Sequence, residues 1–162
     1  MMIQPNTYSG SSYPLSERDV AAAESKMGIA LPEQLKSFTL HQNGGRPKRR
    51  YWHGDGGLVF WVDTLIPIEA TVNNQAPNGM VTTYLNTTSQ DILPKTVIPF
   101  ARDPGGNFFC IDADAESIWY YAMDVWDDAL SPTENHKKCR DFLADSFEVF
   151  MNGLSEKGED DD

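Results

Sequence analysis

Histidine and cysteine are scarce in this chain, three and two among 162 residues. Cys110 and Cys139 form no Cys-x-x-Cys pair and no Cys/His spacing of the kind zinc needs. Two reduced thiols, in the core or near the surface of a cytosolic protein, are the expectation. His41, His53 and His136 have no partner at ligand spacing, and His41 reads as a half-buried structural residue of a helix. There is no Gly-x-Ser-x-Gly elbow and no Cys-centred protease signature. The glycine-rich segments precede strands, so none aims a helix N-terminus at a phosphate. No apolar run approaches the roughly 20 residues of a membrane span. The opening residues, Met1-Met2-Ile3-Gln4-Pro5-Asn6, lack the basic and apolar regions of a signal peptide. The expectation is a soluble, cytoplasmic protein with no cofactor, no metal and no catalytic residue.

Positive charge is the next shortage. Lys and Arg number 13 against 24 Asp and Glu, a net charge of −11. Nucleic acid and anionic membranes repel such a surface, whereas a basic protein partner does not. The imbalance is uneven. Residues 1–50 hold more Lys and Arg than Asp and Glu, and from Tyr51 onward acids dominate. Between Asp103 and Asp128 lie Asp103, Asp112, Asp114, Glu116, Asp124, Asp127 and Asp128, and no basic residue. For any single one of these, solubility is an equally good explanation. The stretch Arg46 to Gly57 is the exception, with four basic residues followed by Tyr51, Trp52 and His53. A solvated, mobile loop is the preferred reading there, and a partner-contacting loop is the alternative.

The apolar fraction of 40% and 18 Phe, Tyr and Trp residues suffice for one folded core. Residues 1–14 read as a loose arm that can lie along the domain, 15–154 as the domain, and 155–162 as a charged acidic tail. Ser16 and Asp19 predict a capping box, Val20, Ala23 and Met27 an apolar stripe, and Gly28 a left-handed stop. Pro32 predicts the start of a second helix that ends at Asn43-Gly44-Gly45. Leu58 to Val62 reads as a buried strand, Thr64 to Ile68 as a short edge strand around Pro67, and Asn73 to Gly79 as a polar turn. Val81 to Ile92 reads as a weak helix. Thr96–Ala101, Asn107–Asp112 and Ile118–Met123, joined by Asp103-Pro104-Gly105-Gly106-Asn107 and by Asp114–Ser117, predict an antiparallel meander. Alternation sends one of Trp119 and Tyr120 to the core and the other to an open sheet face. Asp127 to Asn135 reads as a polar connection. Phe142, Leu143, Phe147, Val149, Phe150 and Leu154 predict an amphipathic C-terminal helix over 138–154. The fold class is therefore α+β: a single domain whose mostly antiparallel, twisted sheet is flanked by two N-terminal helices and a C-terminal helix.

Gly-Ile-Ala-Leu-Pro-Glu-Gln-Leu-Lys-Ser-Phe (28–38), then Asn-Gly-Gly (43–45), then Val-Ile-Pro-Phe-Ala-Arg-Asp-Pro-Gly-Gly-Asn-Phe-Phe-Cys-Ile-Asp (97–112), in this order and spacing, resemble the SUKH superfamily. The Trp-Tyr-Tyr strand followed by Asp127-Asp128 is similar to that family's third hairpin strand and the short acidic element after it. The resemblance runs from about Ser16 to about Leu154. After the paired glycines, where the family commonly has an acidic or polar residue, this chain has Asn107, which keeps hydrogen bonding in the turn but supplies no carboxylate. The motif residues have structural roles, so the resemblance identifies a scaffold more than a site.

The superfamily includes bacterial immunity proteins and fungal regulators of cell-wall synthesis. The resemblance implies an immunity protein that holds a toxin domain, a basic nuclease being one fit, and does not catalyse. The contact candidates are Asp112, Asp114, Glu116, Asp124, Trp126, Asp127 and Asp128, with Trp126 as an aromatic anchor if exposed. For the aromatic set Trp52, Trp61, Trp119, Tyr120, Tyr121 and Trp126, core packing is the general explanation. Rival functions are a regulatory or scaffold module that binds a cellular protein, and a small hydrolase.

Overall fold

The computed structural model describes residues 2–69 and 78–158. In chain order its elements are β1 (Tyr8–Ser9), α1 (Glu17–Met27), α2 (Glu33–His41), β2 (Arg46–Pro47), β3 (Tyr51–His53), β4 (Val59–Trp61), β5 (Thr64–Leu65), α3 (Met80–Ser89), β6 (Val97–Arg102), β7 (Phe108–Asp112), β8 (Ile118–Tyr121), α4 (Pro132–Lys138), β9 (Arg140–Ala144) and α5 (Phe147–Asn152). The fold is α+β, with five helices among the described residues and a five-stranded antiparallel sheet in the order β5-β6-β7-β8-β9.

Capping chemistry sets the first two helices. The Ser16 hydroxyl accepts from Asp19 N while the Asp19 carboxylate accepts from Ser16 N, closing the box ahead of α1. Gly28 ends that helix at φ 73°, a conformation glycine adopts without strain. Val20, Ala23 and Met27 are buried, as their spacing predicts. Pro32 sits at the N-cap of α2, one position before its first helical residue. His41, at the end of α2, is exposed and not half-buried. It falls off the stripe that Leu35 and Thr39 bury.

Each face of the sheet carries a buried cluster. On one, Ile98, Ala101, Phe109, Ile111, Ile118 and Ala144 meet residues of α1, α3 and α5 in the main core. The Phe100 ring stands edge-on to Phe147 and Phe150, 5.3 and 5.7 Å between centroids. On the other, Val97, Cys110 and Tyr121 pack with Leu93, rimmed by Phe108, Trp119 and Met123. Alternation divides Tyr120 and Trp119 between these faces, and both are half-buried; Phe142 beside Trp119 is 51% exposed, so the second face is open toward β9.

Three segments depart from the expectation. Arg46–Gly57 is not a mobile loop, because β2 pairs with β1 and β3 pairs with β4. Leu58–Val62 is not a buried strand, since Leu58, Val59 and Trp61 are 57%, 41% and 40% exposed. A two-stranded ribbon can bury one face only: Trp52 and Phe60 turn inward toward Phe150 and Tyr120, and Val62 enters the core after the strand ends. Residues 138–154 are not one helix. Arg140–Ala144 pairs with β8, and the Ser146 hydroxyl caps a new helix by accepting from Val149 N. The open edge of β8 left backbone groups that a strand satisfies and a helix would not. The polar connection 127–135 likewise contains the start of α4, capped by Ser131. Of the expected turn at 73–79, residues 73–77 lie outside the described residues, as do 159–162 of the tail.

Candidate partner-binding surface

The seven acidic and aromatic candidates fall at two ends of β8. Phe108 pairs with Tyr121 and Ile111 with Ile118. The β7–β8 turn with Asp112, Asp114 and Glu116 therefore lies at one end. The segment with Asp124, Trp126, Asp127 and Asp128 lies at the other, separated by about 10 Å of strand. Asp112 is half-buried and its carboxylate accepts from Asp114 N and Ala115 N, so it holds the turn's shape. Asp114 and Glu116 are exposed, and Glu116 sits at φ 62°.

The second group is built on two buried asparagines that the sequence did not single out as site residues. Asp103 accepts from Gly105 N, from Asn107 N and Nδ2, and from the Tyr120 hydroxyl at 2.5 Å. Asn107 then accepts from Met123 N at 2.8 Å, fixing the 3-10 turn Met123–Val125 that carries Asp124. A carboxylate at 107 could not donate to Asp103, so an amide is the group that fits between one acceptor and one donor. Asn135 is fully buried. Its Oδ1 accepts from Asp127 N and its Nδ2 donates to Asp127 O, both at 2.9 Å. Lys138 Nζ donates to Val125 O, and the Trp126 ring meets His136 edge-on at 6.1 Å. Trp126 is half-buried, while Asp124, Asp127 and Asp128 are exposed around it. The only sequence signal for Asn135 was its place three residues inside a Ser-Pro helix start.

Electrostatics follows from this packing. Burial pushes the Asp103 carboxyl upward, but the hydrogen bonds from Tyr120, Asn107 and Gly105 outweigh it and hold the group below its ordinary value. Tyr120 is driven well above the ordinary phenol value by burial, and then by its hydrogen bond to Asp103. Tyr121 is pushed up to about 12, chiefly by burial. Burial also raises both free thiols, Cys110 and Cys139, which opposes thiolate chemistry at either. Among the described residues no three His, Cys, Asp or Glu side chains converge as a metal site requires. No helix among them is long and apolar enough to cross a membrane. A cavity under α2, lined by Leu35, Phe38, Met80 and Phe100, has about 10 Å³, room for one water, and no titratable group in its wall. What the arrangement offers is a shaped, fixed acidic loop.

The profile of the SMI1 / KNR4 family (SUKH-1) matches residues 14–153, from just before α1 to just after α5. No curated protein matches the sequence.

Proposed function

Because the chain belongs to the SMI1 / KNR4 family (SUKH-1), which includes immunity proteins and cell-wall regulators, we propose that it is an immunity protein that neutralises a basic toxin domain by binding it. The observation that carries this reading is the loop 123–128. Its three exposed carboxylates surround Trp126, and the loop is anchored at Met123, Val125 and Asp127. A preorganised loop loses little conformational freedom on docking, which favours affinity. Complementary charge raises the association rate, and a desolvated aromatic anchor slows dissociation. Neutralisation is by occlusion, with no reaction of the toxin. Asp114 and Glu116 lie at the other end of β8, outside this contact.

The test begins with the toxin domain of a secreted protein encoded beside this chain. Co-expression is expected to restore growth, and purified proteins to form a salt-sensitive complex. The triple variant D124K/D127K/D128K should bind at least tenfold more weakly at about 50 mM salt, with a shallower salt dependence. The variant D114K/E116K should stay within about threefold of the wild type. Equally poor growth with and without this chain overturns the proposal. Unchanged affinity of the triple variant at every salt concentration removes the loop from the contact.

A further inference from the structure

The chain's scarcest charge is concentrated beside the sheet. Four of its 13 Lys and Arg residues, Arg46, Lys48, Arg49 and Arg50, fall within five positions. The β1–β2 pairing and a hydrogen bond from Lys48 N to Thr7 O hold this stretch in place. Asn6 clamps its middle, accepting from Arg49 N at 3.0 Å and donating to Arg49 O at 2.9 Å. Alternation turns Pro47 and Arg49 inward: Pro47 is buried, and Arg49 donates to the Gln4 carbonyl and side chain. The same alternation turns Arg46, Lys48 and Arg50 outward, and all three are exposed. β2 ends at Pro47 and the chain bends at Lys48 and Arg49. These three cations line a groove of about 400 Å³ alongside β1.

An apolar platform continues the row. The Arg50 guanidinium lies 5.5 Å from the Tyr51 ring centroid and 5.6 Å from that of Trp61. The two rings are 5.8 Å apart, and Trp61 leads on to exposed Val59 and Leu58. Carboxylates already reach the row. Glu156 lies 3.6 Å from Lys48 on a segment whose Ser155 bridges Tyr51 antiparallel, and Asp63 lies 3.7 Å from Arg46. The Arg46 and Lys48 side chains are each 66% exposed in these pairs. Exposed surface pairs of this kind are weak, so an incoming carboxylate displaces them readily.

We propose that the row Arg46, Lys48 and Arg50, with the Tyr51–Trp61 platform, is a second interaction surface, and that it takes an extended acidic segment of a partner protein. Carboxylates of the segment meet the three cations along the groove, and an apolar residue at one end meets Trp61. The net charge of −11 disfavours a long polyanion such as nucleic acid, whereas a short segment brings only three or four charges. The surface shares no residue with the loop 123–128, and the inference does not depend on a toxin.

Fluorescence anisotropy with the full chain tests it, using a labelled peptide that alternates Glu and Ser and ends in Leu, at about 50 mM salt. The wild type should bind this peptide at least fivefold more tightly than one of the same length with its glutamates replaced by glutamine. K48E/R50E should lose at least tenfold, while R18E/K26E, an equal charge change on exposed α1 positions, should lose less than threefold. Binding that appears only after removal of residues 159–162 supports the row's preference and makes those residues a competitor for it. Three results overturn the proposal: equal affinity of K48E/R50E and wild type, tighter binding of a thymidine oligonucleotide of matched charge, or no binding with or without residues 159–162. D124K/D127K/D128K should leave this binding undiminished, so failure here and failure of the toxin assay are separate results.

Discussion

Asp103 ties together two turns that are distant in sequence. It was legible as part of a Pro-Gly-Gly turn, but not as the acceptor that fixes Tyr120 and, through Asn107, Met123. Local turn chemistry is visible in four residues. A partner 17 positions away is not. Its carboxyl titrates below the ordinary range in the fold and near 3.9 in the unfolded chain. The unfolded state therefore binds more protons as the pH drops toward 4 and below. The contribution of Asp103 is complete above about pH 5 and is lost as the pH falls through the folded value. D103N should be less stable than wild type by roughly 1–3 kcal/mol at neutral pH. That gap should hold from pH 7 to 5 and narrow below about pH 4, measured by urea unfolding at each pH. A gap that stays constant down to pH 3 would show that the carboxylate's charge is not the source. The site residues followed the same rule of visibility. Exposed acids could be named from composition, whereas the buried amides Asn107 and Asn135 that place them could not.

At the level of the element, α3 shows how a weak helix is made to hold. Its threonines favour it little, and Gly79 at its N-cap contributes no side chain. The cap comes from Glu69, a buried residue whose carboxylate accepts from Val81 N, Thr82 N and the Thr82 hydroxyl at 2.9–3.0 Å. A Cβ on residue 79 would stand 1.9 Å from Glu69 Oε1, so the glycine is what admits the carboxylate. G79A and E69A should each cost roughly 1–3 kcal/mol. The double variant should fall short of their sum by at least about 1 kcal/mol, because both remove one cap. Additive losses in urea unfolding would refute that coupling. A cap delivered from ten positions before the N-cap escapes sequence reading, which looks within three. The capping box of α1 was legible for the opposite reason. The C-terminal segment erred in the same direction: Phe142, Leu143 and Phe147 suit a helical stripe, and only Ser146 marked the break. The decisive factor was the unpaired edge of β8, which is a tertiary fact.

For the whole molecule, order and class were legible: two capped helices, then strands meeting through Asp/Gly turns. The net charge of −11 acts on this body as self-repulsion. Three exposed or half-exposed ion pairs, at 3.6–3.9 Å, offset little of it among the described residues. Raising salt from about 10 to 300 mM shortens the screening length from about 30 Å to about 6 Å. The thermal midpoint should therefore rise, by about 2–4 °C for each kcal/mol of relieved repulsion in a chain of this size. A midpoint that falls with salt, followed by circular dichroism, would mean that attractive pairs dominate. What sequence could not show at this scale was the division of charge in space. One run of acids became two ends of a strand, and the basic stretch became one wall of a groove beside β1.

The outer strands of the sheet carry a last consequence. β5 is two residues long and runs into Pro67, while β9 presents Arg140 and Asp141 and slips register beside Trp119. Neither border offers a long, flat row of free amides and carbonyls, so the sheet is a poor seed for fibrils and a poor host for an added strand. Whatever this protein captures, it grips with side chains and leaves the visitor's backbone unzipped.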